Sequence, residues 1–527
     1  MGVPAFFRKL IKKHKIISYT NNRKIDYLYI DANCLFHPQC FIELDQNINE
    51  TNINILNLKM FDRIIKYIDT LINYVKPDKF IFIAVDGVAP LAKISQQRIR
   101  RFANTNNYKH KIMLKHNIKF NDKWSNIVIT PATQFMNDLH KKLLEHFNNN
   151  KKIIYSSYLE NGEGEHKILQ HLKSINYREN DKCVIYGLDA DLIFLALASN
   201  KPNIFLLRET NQVTNDDDKD KDIFCYVDIN EMKSCIRKEN INTDDYIFIC
   251  YFLGNDFLPH LPSIDINING YELLLGVYLE IYDKLLTNLI IRKENKIIIN
   301  EEFLLTFIEK LCSYETIFFK KELPEYLLYK RQQQCYETEL YKKEIWEYEN
   351  LKNLKIIDTI KLYNPGFKER YYKYYFHIES ISNDDLKNKI CHNYLEGLLW
   401  VANYYFLECN SWRWLYKYTH PPFLSDIYNY LKTKNINKDF TIINEKAINM
   451  NTQLLCVIPP QFSHILPPNI KHLNSSINSP IIDMFPMMYK LDMINKTQLY
   501  KCIPILPYLD IDRVEKAIMN LDSNLKI

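Results

Sequence analysis

The chain has 527 residues, 47% hydrophobic and 13% aromatic, with a formal net charge of +5. Those figures exclude a disordered chain and leave room for a substantial core in one large domain or several. The charge is too small to argue nucleic-acid binding by itself, so local clustering has to carry that case. The twelve cysteines are scattered without a C-x-x-C pair, which speaks against a zinc knuckle or a disulfide scaffold and for reduced core thiols. Apolar runs such as YELLLGVYLEIY are broken by acids well short of a membrane span, and the opening residues lack a signal-peptide apolar region. The expectation is a soluble, intracellular protein without a membrane partner.

In chain order, three short apolar runs come first: residues 27–31 (YLYID), 80–86 (FIFIAVD) and 183–189 (CVIYGLD). They read as buried strands, each with an acid where the strand should emerge. A helix-like stretch around Met60–Tyr74 separates the first two. Over residues 1–275 this alternation predicts α/β architecture with a mostly parallel central sheet. The acidic run Asp216–Asp222 reads as a solvated loop. Residues 276–365 are charged and helix-like, with EEFLLTFIEKL and KKEIWEYENLKNL lacking internal Gly or Pro, and form a helical connecting region. Residues 366–527 carry Pro-rich turns and a Trp/Tyr-dense block from Tyr394 to Tyr418. No Gly/Ser-rich tether precedes them, so they are expected to pack on the first half.

Seven carboxylates stand at the downstream ends of apolar stretches: Asp31, Asp86, Glu163 and Glu165 in GEGEH, Asp189 and Asp191 in YGLDADL, and Asp256 in YFLGNDF. In an open α/β sheet the carboxyl ends of strands face the ligand crevice. One acid after a strand is more often a helix cap or turn residue. Seven, with two doublets, would repel one another unless divalent cations held them, and the economical reading is a two-metal phosphodiester-cleaving site. Glu163 and Glu165 flank Gly164 at a turn expected to enter a helix near His166, with both carboxylates in one cavity. Asp189 and Asp191 are expected on one side of a strand continuation.

The segment LAKISQQRIRRF (residues 91–102) is the sharpest single motif. As a helix it places Lys93, Gln97, Arg100 and Arg101 at i, i+4, i+7 and i+8 on one face, a phosphate pocket. Such a helix is as often a solvated surface, but its position just after Asp86 sets this one beside the acids. His37, six residues after Asp31, is compatible with a metal ligand, a core histidine or a stacking platform, the core histidine being the simplest.

The blocks MGVPAFFRKL, YLYIDANCLFHP, AVDGVAPLAKISQQRIRRF, VITPATQFM, GEGEHKIL, YGLDADLI and FLGNDFLPHLPSI occur in that order. GFKERYYKYYF, YLEGLLWVANYYF, SWRWLYKYTHPPFLSDI, LLCVIPP and SPIIDMFP follow. This ordered set closely resembles the blocks of the Xrn family of 5′→3′ exoribonucleases and covers nearly the whole chain. The resemblance implies a PIN/flap-nuclease-like core with a helix-rich C-terminal region packed against it. It implies that Asp31, Asp86, Glu163, Glu165, Asp189, Asp191 and Asp256 bind two Mg²⁺ ions, which Mn²⁺ can replace. Lys93, Gln97, Arg100 and Arg101 match the grip on the 5′ phosphate, and His37 resembles the base-stacking histidine. Trp400 in EGLLW is the best match to the tryptophan that completes the stack, with Trp412 and Trp414 close enough in sequence to leave that assignment open.

The implied activity is processive, Mg²⁺-dependent hydrolysis of single-stranded 5′-monophosphorylated RNA to nucleoside 5′-monophosphates. The expected protein is a monomer, cytoplasmic rather than nuclear, without the partner-recruiting functions of the long C-terminal extension in the large family members. Departures exist: Ala32 and Cys34 stand where Met and Gly are common, Leu91 replaces an Arg, Asn161 a Pro, and Ala132 and Gln134 a Gly and a Glu. None touches the seven acids or the four pocket residues, though Leu91 leaves the pocket entrance less basic. Two other readings compete. A flap-endonuclease relative acting on DNA is disfavoured because GNDFLPHLPSIDIN follows the last acid where a Gly-containing helix-hairpin-helix is expected. An inactive RNA-binding scaffold is disfavoured because it would gain stability by losing mutually repulsive carboxylates.

Overall fold

The computed structural model describes residues 10–11, 13, 15–19, 23–104, 124–210, 224–293, 296–352, 354–378 and 384–524. All but the last residue of the opening MGVPAFFRKL block, and the acidic run Asp216–Asp222, lie outside the described residues. Seven strands form the main sheet: β1 (Ile17–Ser18), β2 (Tyr27–Asp31), β3 (Phe80–Ala84), β4 (Ile153–Ser156), β5 (Cys183–Tyr186), β6 (Ile204–Glu209) and β7 (Phe224–Asp228). Their order across the sheet is β1-β7-β6-β5-β2-β3-β4. The five from β6 to β4 run parallel, whereas β7 is antiparallel to β6 and β1 to β7. The chain moves outward from β2 to β3 and β4, then returns to β5 on the other side of β2. That reversal is the topological switch where open α/β sheets bind ligands, and Asp31 is the last residue of β2.

Both faces of the sheet are covered, which is why its central strands read as continuous apolar runs. Leu28, Ile30, Ile81, Ile83, Val184 and Tyr186 share a core with helices Ala32–Gln46, Ile53–Val75 and Gln134–Phe147. Their alternate neighbours Tyr27, Tyr29, Phe82, Cys183 and Ile185 pack on the opposite face against helices Gly164–Ser174 and Asp191–Ala198. A one-residue slip in any strand would exchange the two cores. All twelve cysteines are free thiols. Among the described residues no helix is long and apolar enough to cross a membrane.

The stretch expected to be helical after residue 276 contains an antiparallel hairpin, Ile290–Lys293 with Lys296–Ile299, between helices Gly270–Leu285 and Glu301–Ile317. Paired isoleucines on either side of a polar turn are a hairpin signal, masked in sequence by its helix-periodic flanks. Asp245 anchors this hairpin. Its fully buried carboxylate accepts hydrogen bonds from Tyr278 Oη (2.7 Å), Leu289 N (2.8 Å) and Ile290 N (2.7 Å). Burial still pushes the carboxyl up, to about 6, against the pull of those donors. Asp245→Ala should destabilise the fold by roughly 3 kcal/mol, because two backbone N–H groups lose a charged acceptor in a dry site. Urea unfolding checks this, and a loss near zero would mean that water replaces the carboxylate.

The C-terminal part clamps the helix Leu91–Asn104. Leu91 N donates to Trp412 O (2.8 Å) and Ala89 N to Gln453 Oε1 (2.8 Å). Buried Arg98 donates from Nη1 to Pro507 O (3.0 Å) and from Nη2 to Met484 O (2.5 Å). Val88, Leu91 and Ile94 enter one apolar cluster with Leu454, Leu455 and Val514.

Candidate active site

The seven acids meet at the carboxyl end of the parallel strands. Asp31 closes β2 and Asp86 follows β3 by two residues. Glu163 precedes the helix Gly164–Ser174 with extended backbone, and Glu165 lies in that helix's first turn. Gly164 between them permits the close approach: a Cβ there would stand 2.7 Å from Asp31 Oδ1, and its N–H donates to Asp86 Oδ1 at 2.6 Å. Asp189 and Asp191 do not share a strand continuation, since β5 ends at Tyr186. Asp189 is exposed in the connecting turn, whereas Asp191 opens the helix Asp191–Ala198 and is buried. The turn breaks the two-residue alternation, so the doublet reaches the site from a loop and a helix instead of one strand face. Asp256 is presented by a tight turn in which Gly254 has φ +84° and Asn255 Oδ1 accepts from Phe257 N and Leu258 N (both 2.9 Å).

Lys93 lies inside this ring. Its ammonium donates to Asp256 Oδ2 at 2.7 Å and also bonds Glu163 Oε2. Burial works against the charge on Lys93, but Asp256 and Glu163 outweigh it and hold the amine well above its ordinary value. Asp256 experiences the converse: burial favours its proton, and Lys93 nevertheless draws it below the usual carboxylate range. Asp31 and Glu165 are pushed well up, by burial first and then by neighbouring acids, Asp86 and Asp189 for the one, Asp191 and Glu163 for the other. Asp191 is raised to about 7 by burial and by Asp256.

Among the described residues no three acid, histidine or cysteine side chains stand close enough to cage a cation in this arrangement. The donor set nonetheless fits hard divalent cations, being all carboxylate oxygen. Buried Asp31 Oδ1, Glu165 Oε2 and Asp191 Oδ1 have no hydrogen-bond partner, a costly state that a cation relieves.

Two supporting side chains escaped the sequence reading. Tyr404 Oη donates to Glu163 Oε1 at 2.7 Å, its ring stacked on His166 at 4.2 Å. One tyrosine among 37 carries no sequence signal. Arg208, buried on β6, donates to Leu188 O (2.9 Å) and Asp189 O (2.6 Å) and so holds the Asp189 turn. A cation inside the apolar run IFLLRE was a readable anomaly.

The four residues of the cationic helix face separate. Lys93 sits among the acids and Gln97 is half-buried between the ends. Arg100 and Arg101 line a cavity of about 270 Å³ together with His37, Phe41, Trp124 and Asn126. Burial and the two arginine charges push the His37 imidazole down to about 3, so it is neutral at physiological pH. Burial and Arg100 lower the Arg101 guanidinium to about 9, still cationic at neutrality. His37 is half-buried and forms a wall of the cavity.

Trp400 does not reach any such wall. It is 2% exposed, its indole N–H donates to Ser411 O (2.8 Å), and its ring stacks on Tyr404 at 5.2 Å and Trp414 at 5.0 Å. Helix Asp384–Phe406 turns this residue into the core, leaving no ring face for a base. Trp414 is also buried, its indole N–H on Glu396 Oε2 at 2.8 Å. Trp412 is half-buried, with Cη2 4.0 Å from where Gly162 would carry a Cβ, next to Glu163.

Comparison with known proteins places these features in a group. The family described as XRN 5′-3′ exonuclease N-terminus matches residues 1–210, and the Xrn1 helical domain matches residues 237–345 and 324–526. The chain is 29% identical over 607 residues to 5′-3′ exoribonuclease 1 of Homo sapiens, covering 100% of this chain and 34% of that protein. It is 27% identical to 5′-3′ exoribonuclease 2 of Candida albicans (98% of this chain, 72% of the relative). It is 26% identical to 5′-3′ exoribonuclease 2 of Arabidopsis thaliana (100% and 68%). The chain thus spans about a third of the human relative's length and about 70% of the other two.

Proposed function

The chain belongs to the Xrn family of 5′→3′ exoribonucleases, whose substrate is RNA, and from that premise we propose that it degrades single-stranded, 5′-monophosphorylated RNA processively to nucleoside 5′-monophosphates. The observation that carries this reading is one helix, Leu91–Asn104, with Lys93 in the acid ring and Arg100 and Arg101 in the His37 cavity. At a rise of about 1.5 Å per residue, Arg100 stands roughly 10 Å along the axis from Lys93, a separation that the long lysine and arginine side chains can narrow to the span between neighbouring phosphates. A 5′ phosphate gripped by the arginines then leaves the next phosphodiester at the acids.

The seven acids, Asp31, Asp86, Glu163, Glu165, Asp189, Asp191 and Asp256, would hold two Mg²⁺ ions. Bound there, the ions supply an activated water and neutralise charge on the scissile phosphate and leaving oxygen. The protein's own groups do the rest. Lys93 offsets the charge of Glu163 and Asp256, and Tyr404 orients Glu163. Arg208 fixes the turn that bears Asp189. Neutral His37 offers an uncharged ring for stacking the first base, worth about 1–3 kcal/mol without sequence preference. Water oxygen bonds to phosphorus, the P–O3′ bond breaks, and the 3′ oxygen leaves on the released nucleotide. The shortened strand retains a 5′ phosphate and can advance into the same cavity, which makes the reaction repeatable without release. Residues 366–527 complete the RNA-binding surface through Trp412.

The test is purified protein in Mg²⁺ against matched single strands: RNA bearing 5′ monophosphate, hydroxyl, triphosphate or cap, and 5′-phosphorylated DNA. Mononucleotides should come from monophosphorylated RNA and cease in EDTA. Internal fragments, or faster release from DNA, would sink the reading. Trp412→Ala should shorten the run of nucleotides removed per encounter, measured with a competitor trap, with the fold intact. Trp400→Ala should instead cost stability, about 3–5 kcal/mol for a large aromatic removed from a core. The opposite pattern would return the stacking role to Trp400.

A further inference from the structure

A second cavity, of about 350 Å³, is bounded by the Gly254–Asp256 turn on one side and by the helical and C-terminal regions on the other. It shares no lining residue with the cavity of His37, Arg100 and Arg101. Its volume lies within the roughly 300–1,000 Å³ of small-molecule sites. Asp256 belongs both to its wall and to the acid ring, so the cavity adjoins the place where a phosphodiester would be cut.

Its wall carries two lysines and two acids, one of which is paired from outside the cavity. Lys496 and Lys501 both line it, facing one further acid, Asp265, whose carboxylate already accepts from Asn267 N (2.7 Å) and Nδ2 (2.9 Å). Asp256 is neutralised separately by Lys93. Burial outweighs the attraction of Asp265, the next largest influence, and with lesser repulsion from Lys496 and Lys330 holds the Lys501 amine below its ordinary value. A half-buried cation in that state gains from an added anion.

The same cavity offers surfaces for a planar ring. Tyr326, Tyr375 and Tyr500 line it, with the Lys501 ammonium 5.9 Å from the Tyr326 ring centre. Two further lining residues carry buried atoms without a hydrogen-bond partner, the acceptor Gln96 Oε1 and the donor Asn255 Nδ2. An anion site, aromatic walls and an orphaned donor and acceptor together match a phosphomonoester attached to a nucleobase. We infer that this cavity is a binding chamber for a nucleoside 5′-monophosphate, which receives the product from the Asp256 side before it leaves; this rests on the hydrolysis proposed above for its source, though not for its chemistry.

The test is calorimetric titration of the whole protein with AMP in EDTA, with adenosine and inorganic phosphate as partial probes. AMP should bind at two sites, because the His37 cavity also takes a 5′ phosphate, and at the chamber it should bind more tightly than either fragment. The Lys496→Gln/Lys501→Gln double variant should weaken one of the two sites at least about tenfold, the scale of hydrogen bonds to a charged phosphate, and Arg101→Ala should weaken only the other. Each single Gln variant should show part of the loss, which keeps the test readable if the double variant fails to fold. In Mg²⁺, inhibition of RNA degradation by added AMP should be partly relieved in the double variant, and single-turnover release of the first product should be faster than in wild type. Absence of AMP binding, or a single AMP site that is lost in Arg101→Ala and retained in the lysine variants, would overturn the assignment. AMP bound through the lysines in a protein that releases no mononucleotide from RNA would uphold the chamber and discard the hydrolysis.

Discussion

Glu165→Gln is expected to abolish RNA cleavage, by more than about a hundredfold, the upper end of what losing even an outer-shell partner of a metal ligand costs. The same change should raise the stability of the metal-free protein. Glu165 is buried, its Oε2 has no partner, and burial, Asp191 and Glu163 push its carboxyl well above its ordinary 4.5, with Lys93 offsetting only part. The folded state therefore keeps a proton that the unfolded chain loses first. Stability falls as pH rises from 4.5 through the folded value, and Gln has no such proton to lose. The gain should be absent below pH 4.5 and present near neutrality. Thermal melts in EDTA at both acidities, with a cleavage assay in Mg²⁺, measure the two effects. Retained cleavage would remove Glu165 from the site, and an equal gain at both acidities would show that its ionisation is not the cause.

Arg101→Ala should slow degradation of 5′-monophosphate RNA about ten- to a hundredfold, since a hydrogen bond to a charged group contributes roughly 1.5–3 kcal/mol. RNA with a 5′ hydroxyl never makes that contact, so its already slow degradation should change far less. The preference between the two substrates collapses instead of both rates falling together. Arg100→Ala should behave in the same way, because both arginines line the cavity beside His37. Initial rates on the two RNAs for wild type and each variant decide the point. A uniform loss on both would mean that these arginines grip the RNA backbone generally or hold the helix in place, and the 5′-phosphate site would have to be sought elsewhere.

The sequence by itself determined three of the sheet's strands, the helix Leu91–Asn104 and the placing of acids at the ends of apolar runs. Each of these is a local pattern: an apolar run long enough to be buried on both faces, an acid at its end, cations at helical spacing. Asp31, Asp86 and the GEGEH pair were legible because strand ends converge in any open parallel sheet. The tertiary structure decided which side chains meet. Lys93 and Arg100 share one helix face in sequence, yet one faces carboxylates and the other a cavity, because different segments pack on the two ends. Trp400 and Trp412 are equally aromatic and lie twelve positions apart, but the first falls on an enclosed helix and the second in a turn beside Gly162. The Tyr404–Glu163 bond spans 241 positions. Periodicity constrains neighbours within a few residues, whereas a contact at that separation is set by how helices pack on the sheet, so the acids could be read in advance and the residues that orient them could not.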